Sequence, residues 1–249
     1  MLKKLLVSTV LISSSLISGN INIALAANVS YAIDTLKKEF NKTYPNTKVR
    51  VTIGGSGKLT AQIKNNAPYD IFMSANMKYP QYLYDNKVAI SKPTVYARGS
   101  LAILSSKKQD FTRGIELLKD KNIAKIAIAN PKTAPYGKAS IEAIKNAKIY
   151  NDIKRKFIYG ESISQTVSYT VTASDIGIVA KSALYSPKMS HFKKDINWVE
   201  IDSNLYTPIN QGIVILENAK DNKEAKAFYD FILSDSAKKI FRDFGYLVR

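Results

Sequence analysis

Residues 48–64 read KVRVTIGGSGKLTAQIK, which predicts a β-strand, a glycine loop and an α-helix in direct succession. Lys48–Ile53 alternates polar and apolar side chains, as a half-buried strand does. Gly54–Gly57 then forms the loop, and Leu59 and Ile63 lie on one face of the following helix. A strand that leads through a short loop into a helix is the repeating unit of α/β proteins.

The same alternation extends over the rest of the chain. Asn20–Ala26 is a predicted strand and Ser30–Tyr44 an amphipathic helix that Pro45 ends. Further strands are predicted at Ile71–Ser74, Leu101–Leu104, Lys125–Ala129, Phe157–Tyr159, Ile176–Val179 and Gly212–Leu216. Further helices are predicted at Met77–Asp85, Ile115–Leu118, Lys138–Ala147, Ser162–Val171, Lys223–Leu233 and Ser236–Phe244.

This order of elements predicts an α/β protein of two lobes. The chain contains no long linker and no internal repeat, so short crossings near Tyr96–Gly99 and Ser203–Asn210 are expected to join the lobes. Residues 20–97 and 207–249 then form lobe 1, and residues 98–206 form lobe 2.

Composition excludes several classes of protein. With 249 residues, of which 45% are hydrophobic, the chain can bury a substantial core. It has no cysteine, which excludes disulfides, thiolate metal sites and cysteine nucleophiles. With one histidine, His191, a multi-histidine metal site or a Ser-His-Asp triad is difficult to assemble. The net charge of +17 attracts anions, acidic surfaces or nucleic acid without distinguishing among them.

The first residues are typical of an export signal. Lys3 and Lys4 precede Leu5–Ile12, an apolar run too short to span a membrane. Cleavage after Ala26 would delete the first predicted strand, so we expect a signal peptide of residues 1–19. Its removal takes away two lysines and lowers the net charge from +17 to +15. Because no cysteine can carry a lipid anchor, the expected compartment is the periplasm.

Four predicted junctions between a strand and a helix have the composition of anion-binding loops. At such junctions, unpaired backbone N–H groups and the positive end of the helix dipole point outward together. Any one of them alone is also typical of an ordinary helix cap or turn. The four are Ala26–Ser30, Gly54–Gly57, Ala134–Gly137 and Gly160–Ser164.

Two familiar motifs are excluded at the glycine loop. A P-loop needs Ser or Thr after Gly57-Lys58, where the chain has Leu59. A nucleophile elbow around Ser56 needs glycine two positions later, where the chain has Lys58.

Four stretches resemble the periplasmic molybdate-binding proteins, and the resemblance covers essentially the whole chain after the signal. The stretches are SGKLTAQI (Ser56–Ile63), NAPYDIFMSAN (Asn66–Asn76), AFYDFI (Ala227–Ile232) and IFRDFGY (Ile240–Tyr246). The resemblance implies a type II periplasmic-binding fold with a hinge and an anion site between its lobes. It also implies a monomeric, non-enzymatic protein that delivers molybdate or tungstate to the membrane permease of an ABC importer.

Carried across by position, the oxyanion site of that family falls on Ala27, Asn28, Ser56, Tyr136 and Ile163. The resemblance implies that these residues bind the oxygens of molybdate or tungstate, with no direct metal coordination and no cofactor. In one branch of the family a serine stands at the position of Asn28 and a tyrosine at the position of Ala180. The chain has neither, so it resembles the other branch, which is characterised by an asparagine and a tyrosine. At the position of Ala27 one branch of the family has a hydroxyl residue. Ala27 has no hydroxyl, so only its backbone N–H can bind the oxyanion.

Such a site suits a tetrahedral dianion, which has four acceptor oxygens and no donor. Neutral donors disfavour a protonated oxyanion such as phosphate, because its own O–H would face them. Sulfate is distinguished by size alone, and nothing in the sequence separates molybdate from tungstate.

Other classes remain as alternatives. The same fold could bind sulfate or a ferric-ion complex, although iron sites usually present tyrosine clusters and histidine. A basic nucleic-acid-binding protein is less favoured, because the lysines are scattered and an export signal precedes them. For an exported hydrolase, neither a metal cluster nor an activated nucleophile can be placed.

Overall fold

A computed structural model describes residues 19–248, so the predicted signal peptide lies outside the described residues except for Gly19. Strands and helices alternate along this range. The strands are β1 (Asn20–Ala26), β2 (Lys48–Gly54), β3 (Ile71–Ser74), β4 (Thr94–Gly99), β5 (Leu101–Leu104), β6 (Ile126–Ala129), β7 (Phe157–Gly160), β8 (Ile176–Ala180), β9 (Trp198–Glu200) and β10 (Ile209–Ile215).

Most of the connections between strands contain helices. The α-helices are α1 (Ile33–Thr43), α2 (Ser56–Lys64), α3 (Lys78–Asp85), α4 (Pro135–Asn146), α5 (Tyr150–Ile153), α6 (Ile163–Thr172), α7 (Lys181–Leu184), α8 (Lys223–Ile232) and α9 (Asp235–Asp243). Short 3₁₀ helices lie at Ala27–Tyr31, Phe111–Lys119, Lys154–Lys156, Pro187–Met189, Ser203–Leu205 and Glu217–Ala219. Within residues 19–248, no helix combines the length and apolar character needed to cross a membrane.

The strands form two five-stranded sheets of the same design. Their orders are β2-β1-β3-β10-β4 and β7-β6-β8-β5-β9. In each sheet the first three strands are parallel and the fourth runs antiparallel to its neighbours. The fourth strand of each sheet is the one that the chain reaches directly from the other sheet. Ser100 joins β4 to β5, and residues 201–208 join β9 to β10.

Each sheet is the centre of its own hydrophobic core. In the first lobe, α8 and α9 return to cover β1 and α1, and the buried rings of Phe40 and Phe228 lie 5.0 Å apart edge to face. In the second lobe, the buried strands β6 and β8 lie at the centre, with α4 and α6 packed against them. The predicted two-lobed α/β fold is therefore confirmed, and it sets the carboxyl ends of several parallel strands at the boundary between lobes.

Several predicted boundaries differ from those observed, for identifiable reasons. The predicted helix Ser30–Tyr44 is split into a 3₁₀ turn and α1, and the predicted helix Ile115–Leu118 is part of a longer 3₁₀ segment, Phe111–Lys119, that Gly114 (φ 52°) interrupts. The predicted crossing at Tyr96–Gly99 is strand β4, which pairs with β10. The expected lobe boundary after Ala97 consequently falls inside this strand. The second expected boundary, after Tyr206, falls in the loop before β10.

Candidate functional site

The four predicted junctions meet around one small cavity between the lobes. Strand β1 leads into the 3₁₀ turn and β2 into α2 in the first lobe, whereas β6 leads into α4 and β7 into α6 in the second. The cavity has a volume of about 10 Å³, room for roughly one water molecule and far below the 300–1,000 Å³ typical of pockets for organic ligands. Its lining residues are Ala26, Ala27, Asn28, Gly54, Gly55, Ser56, Ala75, Ala134, Pro135, Tyr136 and Ile163.

All five residues that the sequence predicted for the site line this cavity, and all are buried. Their exposed fractions are 3% for Ala27, 0% for Asn28, 1% for Ser56, 1% for Tyr136 and 3% for Ile163. The structure thus brings together residues that are up to 136 positions apart, from Ala27 to Ile163. A group held here would be largely removed from water.

The lining has no charged side chain, and several of its residues begin helices. Ser56 opens α2, Pro135 and Tyr136 open α4, and Ile163 opens α6. The first N–H groups of a helix have no partner inside the helix, and the helix dipole makes that end positive. Three helix starts therefore direct neutral donors and partial positive charge toward one point.

The Ser56 hydroxyl is held in place from inside the first lobe. Its Oγ accepts a hydrogen bond from the backbone N–H of Ala75 at 3.0 Å, and Ala75 also lines the cavity. Because a hydroxyl accepts and donates at once, the Ser56 proton remains free to donate.

The side chains of Asn28 and Tyr136 enter a buried hydrogen-bond network behind the cavity. Asn28 Nδ2 donates to Gln211 Oε1 at 2.7 Å and to Tyr246 Oη at 2.8 Å. Gln211 Nε2 donates to Tyr136 Oη at 3.1 Å. The N-cap of the 3₁₀ turn is Ala26, so Asn28 is not a helix cap.

Burial keeps the tyrosines of this network neutral. Loss of hydration raises the pKa of Tyr136 well above its usual value, and nearby Tyr246 and Tyr96 raise it further. The pKa values of Tyr96 and Tyr246 are raised for the same first reason. These hydroxyls therefore carry their protons at physiological pH and add no negative charge beside the cavity.

The site is not a metal centre built from side chains. Among residues 19–248, no three His, Cys, Asp or Glu side chains are grouped closely enough to hold a metal ion. His191 lies in an exposed loop and packs against the ring of Phe192, 4.0 Å away.

A family described as bacterial extracellular solute-binding protein matches residues 21–247. The chain belongs to this family. Its members capture solutes and do not catalyse reactions, which confirms the expectation that the chain is not an enzyme.

Similar proteins of known specificity share both the sequence and the fold of this solute-binding protein. The molybdate-binding protein ModA of Azotobacter vinelandii is 32% identical over 232 residues, which are 92% of this chain and 90% of the relative. The solved periplasmic molybdate-binding protein of Azotobacter vinelandii superposes with a TM-score of 0.85 and 27% identity, covering 92% of this chain and 99% of that one. The resemblance predicted from the sequence is therefore confirmed.

The fold alone is more widely shared. The sulfate-binding protein SubI of Mycobacterium tuberculosis superposes with a TM-score of 0.74 at 12% identity, over 92% of this chain and 86% of that one. Such a likeness concerns the fold and not the ligand.

Sequence reasoning missed the residues behind the cavity in this solute-binding protein. Gln211, Tyr96 and Ser182 received no role, and Tyr246 entered only as part of a motif. A buried glutamine at the start of the apolar run Gly212–Ile215 was the available signal, because a buried amide needs several partners. Those partners come from strands and helices far away in sequence, so the pattern along the chain could not identify them.

Proposed function

We propose that this solute-binding protein captures molybdate or tungstate in the interlobe cavity through Ala27, Asn28, Ser56, Tyr136 and Ile163. The observation that supports this most is the convergence of four strand-to-helix junctions, two from each lobe, on one small cavity without charged side chains. The relatives with molybdate in their names supply the identity of the anion.

The chemistry of the lining fits a fully deprotonated oxyanion. Backbone N–H groups and the Ser56 hydroxyl present donors, and hydrogen bonds to a charged acceptor are roughly twice as strong as neutral ones. A hydrogen phosphate ion would turn its own O–H toward a donor and lose that contact. The protein thereby selects against protonation without using a lysine.

The physiological setting follows from the same proposal. We infer that the chain acts as a monomer in the periplasm after removal of residues 1–19, binds no nucleic acid, and delivers its ligand to the permease of an ABC importer. The central position of β1, between β2 and β3, supports cleavage before Asn20, since cleavage after Ala26 would remove this strand from the sheet.

The test is thermal unfolding of the ligand-free protein with molybdate, tungstate, sulfate or phosphate. A ligand at 100 times its Kd stabilises the native state by about 2.7 kcal/mol, which corresponds to roughly 5–10 °C in Tm for a domain of this size. We expect such shifts with molybdate and tungstate and small ones with the other two anions. Equal shifts with sulfate would contradict the proposed specificity, and no shift with molybdate would refute the function.

A further inference from the structure

A second cavity lies between the lobes, directly beside the binding cavity described above, and we call it the vestibule. It has a volume of about 330 Å³, which is within the range of pockets that hold whole small molecules. Its lining includes the start of α3 in the first lobe, the first turns of α4 in the second, and residues 207–210, where the chain returns to the first lobe.

Small apolar residues form the wall between the vestibule and the binding cavity. Ala75 and Ala134 line both cavities, are only 2% and 4% exposed, and belong to one apolar cluster. Ala75 follows β3 in the first lobe, and Ala134 precedes α4 in the second. Movement of the lobes away from each other would therefore separate these two residues and join the vestibule to the binding cavity.

The vestibule carries a net positive charge, unlike the binding cavity. Its charged lining residues are Lys78 on the first lobe and Lys132, Lys138 and Glu142 on the second, which leaves a net charge of +2. The three lysines are exposed, and within residues 19–248 none of them forms an ion pair. The Glu142 carboxylate is held by Thr207, whose N–H and hydroxyl donate to Oε1 at 3.0 and 2.6 Å. The lysines therefore remain available to a mobile anion.

The two cavities act on an anion over different distances. The neutral donors of the binding cavity act at hydrogen-bond distance, whereas a lysine charge acts over a Debye length, about 8 Å at physiological ionic strength. A concave surface lined by one sign of charge concentrates the opposite ion and speeds its association by about 10–10³-fold. The vestibule has this arrangement, and it adjoins a cavity that has no charged side chain of its own.

We propose that the vestibule is the entrance through which a dianion reaches the binding cavity, and that its lysines speed the capture by attracting it. This inference rests on the proposed function, because it takes the ligand of the binding cavity to be a dianion. The lysines attract any dianion, sulfate included, whereas the neutral donors inside select among those that enter. The lysines therefore act on the association rate, and the selectivity belongs to the binding cavity.

Loss of one vestibule charge from each lobe tests the entrance. The double variant Lys78→Gln/Lys132→Gln changes no residue that lines the binding cavity. Its association rate constant for molybdate should fall about fivefold at low ionic strength, and that of each single variant about twofold. The dissociation rate constant should stay nearly the same, because charges at the rim of a site act mainly on association. Stopped-flow tyrosine and Trp198 fluorescence measures association, and displacement by excess tungstate measures dissociation.

A matched variant separates the vestibule from the overall charge of the protein. Lys107→Gln/Lys108→Gln removes the same charge from two exposed lysines. They follow Leu104, which pairs with Gly177 near the beginning of β8, whereas the binding cavity lies beyond the opposite ends of β6 and its parallel neighbours. The association rate constant of this far-end variant should be nearly that of the natural protein.

The dependence on salt separates attraction from a change of structure. Raising the ionic strength from about 10 to 150 mM shortens the Debye length from about 30 to 8 Å. Association of molybdate with the natural protein and with the far-end variant should slow over this range. Association with Lys78→Gln/Lys132→Gln should slow clearly less, because the charges that salt screens are no longer there.

The outcomes distinguish this inference from the function on which it rests. If the natural protein does not bind molybdate, the proposed function fails and the entrance fails with it. If it binds molybdate, but Lys78→Gln/Lys132→Gln associates as fast as the natural protein, or the far-end variant is slowed equally, the entrance is refuted and the proposed function stands. A rise in the dissociation rate as large as the fall in the association rate would also refute it, since the lysines would then contact the bound ligand.

Discussion

A single side chain at this site serves both the fold and the ligand, and Ser56 is the clearest case. Its Oγ accepts the N–H of Ala75 at 3.0 Å, which connects the start of α2 to the end of β3. Its proton is left for the cavity, and the pairing with Ala75 limits the rotation of the hydroxyl. The donor is thereby oriented before the ligand arrives, which reduces the entropy lost on binding.

Replacing Ser56 with alanine should weaken both ligand binding and stability. Ser56→Ala removes one charge-assisted hydrogen bond, so molybdate affinity should fall by about 1.5–3 kcal/mol. The Ala75 N–H also loses its partner, which should lower the free energy of unfolding by about 1–3 kcal/mol. Titration calorimetry and urea denaturation measure the two effects.

Ser105→Ala is the matched control for that experiment. Ser105 is fully buried, and its Oγ accepts from the N–H of Lys107 at 3.2 Å, away from the cavity. Ser105→Ala should lower the free energy of unfolding and leave the molybdate affinity unchanged. An unchanged molybdate affinity in Ser56→Ala would exclude the hydroxyl from the site.

At the scale of residues, the sequence identified side chains whose role follows from their local position. Ser56 and Tyr136 stand at helix starts, and helix starts have recognisable composition. Gln211 forms hydrogen bonds with Asn28 and Tyr136, which are 183 and 75 positions away. Such contacts depend on the tertiary structure, and no spacing rule predicts them.

At the scale of elements, the start of α4 is held against β6 by a glycine. Gly137 lies so close to the strand that an added Cβ would overlap the carbonyl oxygen of Ala129. Pro135 at the first helical position fixes the backbone angle that begins the helix. Together they determine where the Tyr136 N–H points.

Gly137→Ala should therefore move the helix and weaken the site at the same time. We expect the free energy of unfolding to fall by about 1–3 kcal/mol, as for other overpacked positions, and the molybdate Kd to rise. Urea denaturation and calorimetry test this, with Lys138→Ala at an exposed position of α4 as the control, expected within about 0.5 kcal/mol. A destabilised variant with natural affinity would show that α4 does not position a ligand group.

The elements themselves were predicted unevenly. Helix α9 was expected at Ser236–Phe244 and is observed at Asp235–Asp243, with Gly245 at φ 74° after it, because the amphipathic pattern and the glycine stop are local signals. Strands β4 and β9 were missed. Both are sheet edges with a weak pattern, because β9 has only three residues and β4 ends in Arg98 and Gly99.

At the scale of the molecule, the closed arrangement of the lobes depends on close backbone contact beside the cavity. The N–H of Gly57 in α2 donates to the backbone oxygen of Thr133, before α4, at 2.9 Å. The sequence predicted two lobes with a ligand between them, but it could not predict this contact, because it joins two loops that pair only once both sheets have formed.

Gly57→Ala should hinder closure selectively. A Cβ at this position would lie 2.9 Å from the Thr133 oxygen and 2.7 Å from Tyr79 Oη. The tyrosine can swing aside, whereas the backbone oxygen of the other lobe cannot, so the added methyl separates the lobes. Within the first lobe the change is mild, since alanine favours a helix over glycine by up to about 1 kcal/mol.

Small-angle scattering with calorimetry distinguishes closure from simple damage. Saturating molybdate should reduce the radius of gyration of the natural protein and of Lys58→Ala, an exposed α2 control, and reduce it less in Gly57→Ala. The ligand-free Tm of Gly57→Ala should be equal or higher, while its molybdate affinity falls by about 1–3 kcal/mol, the cost of an overpacked contact. If molybdate does not change the radius of gyration of the natural protein, the lobes do not close on the ligand. The junctions then form one rigid cavity, and Gly57→Ala would have to act on the ligand directly.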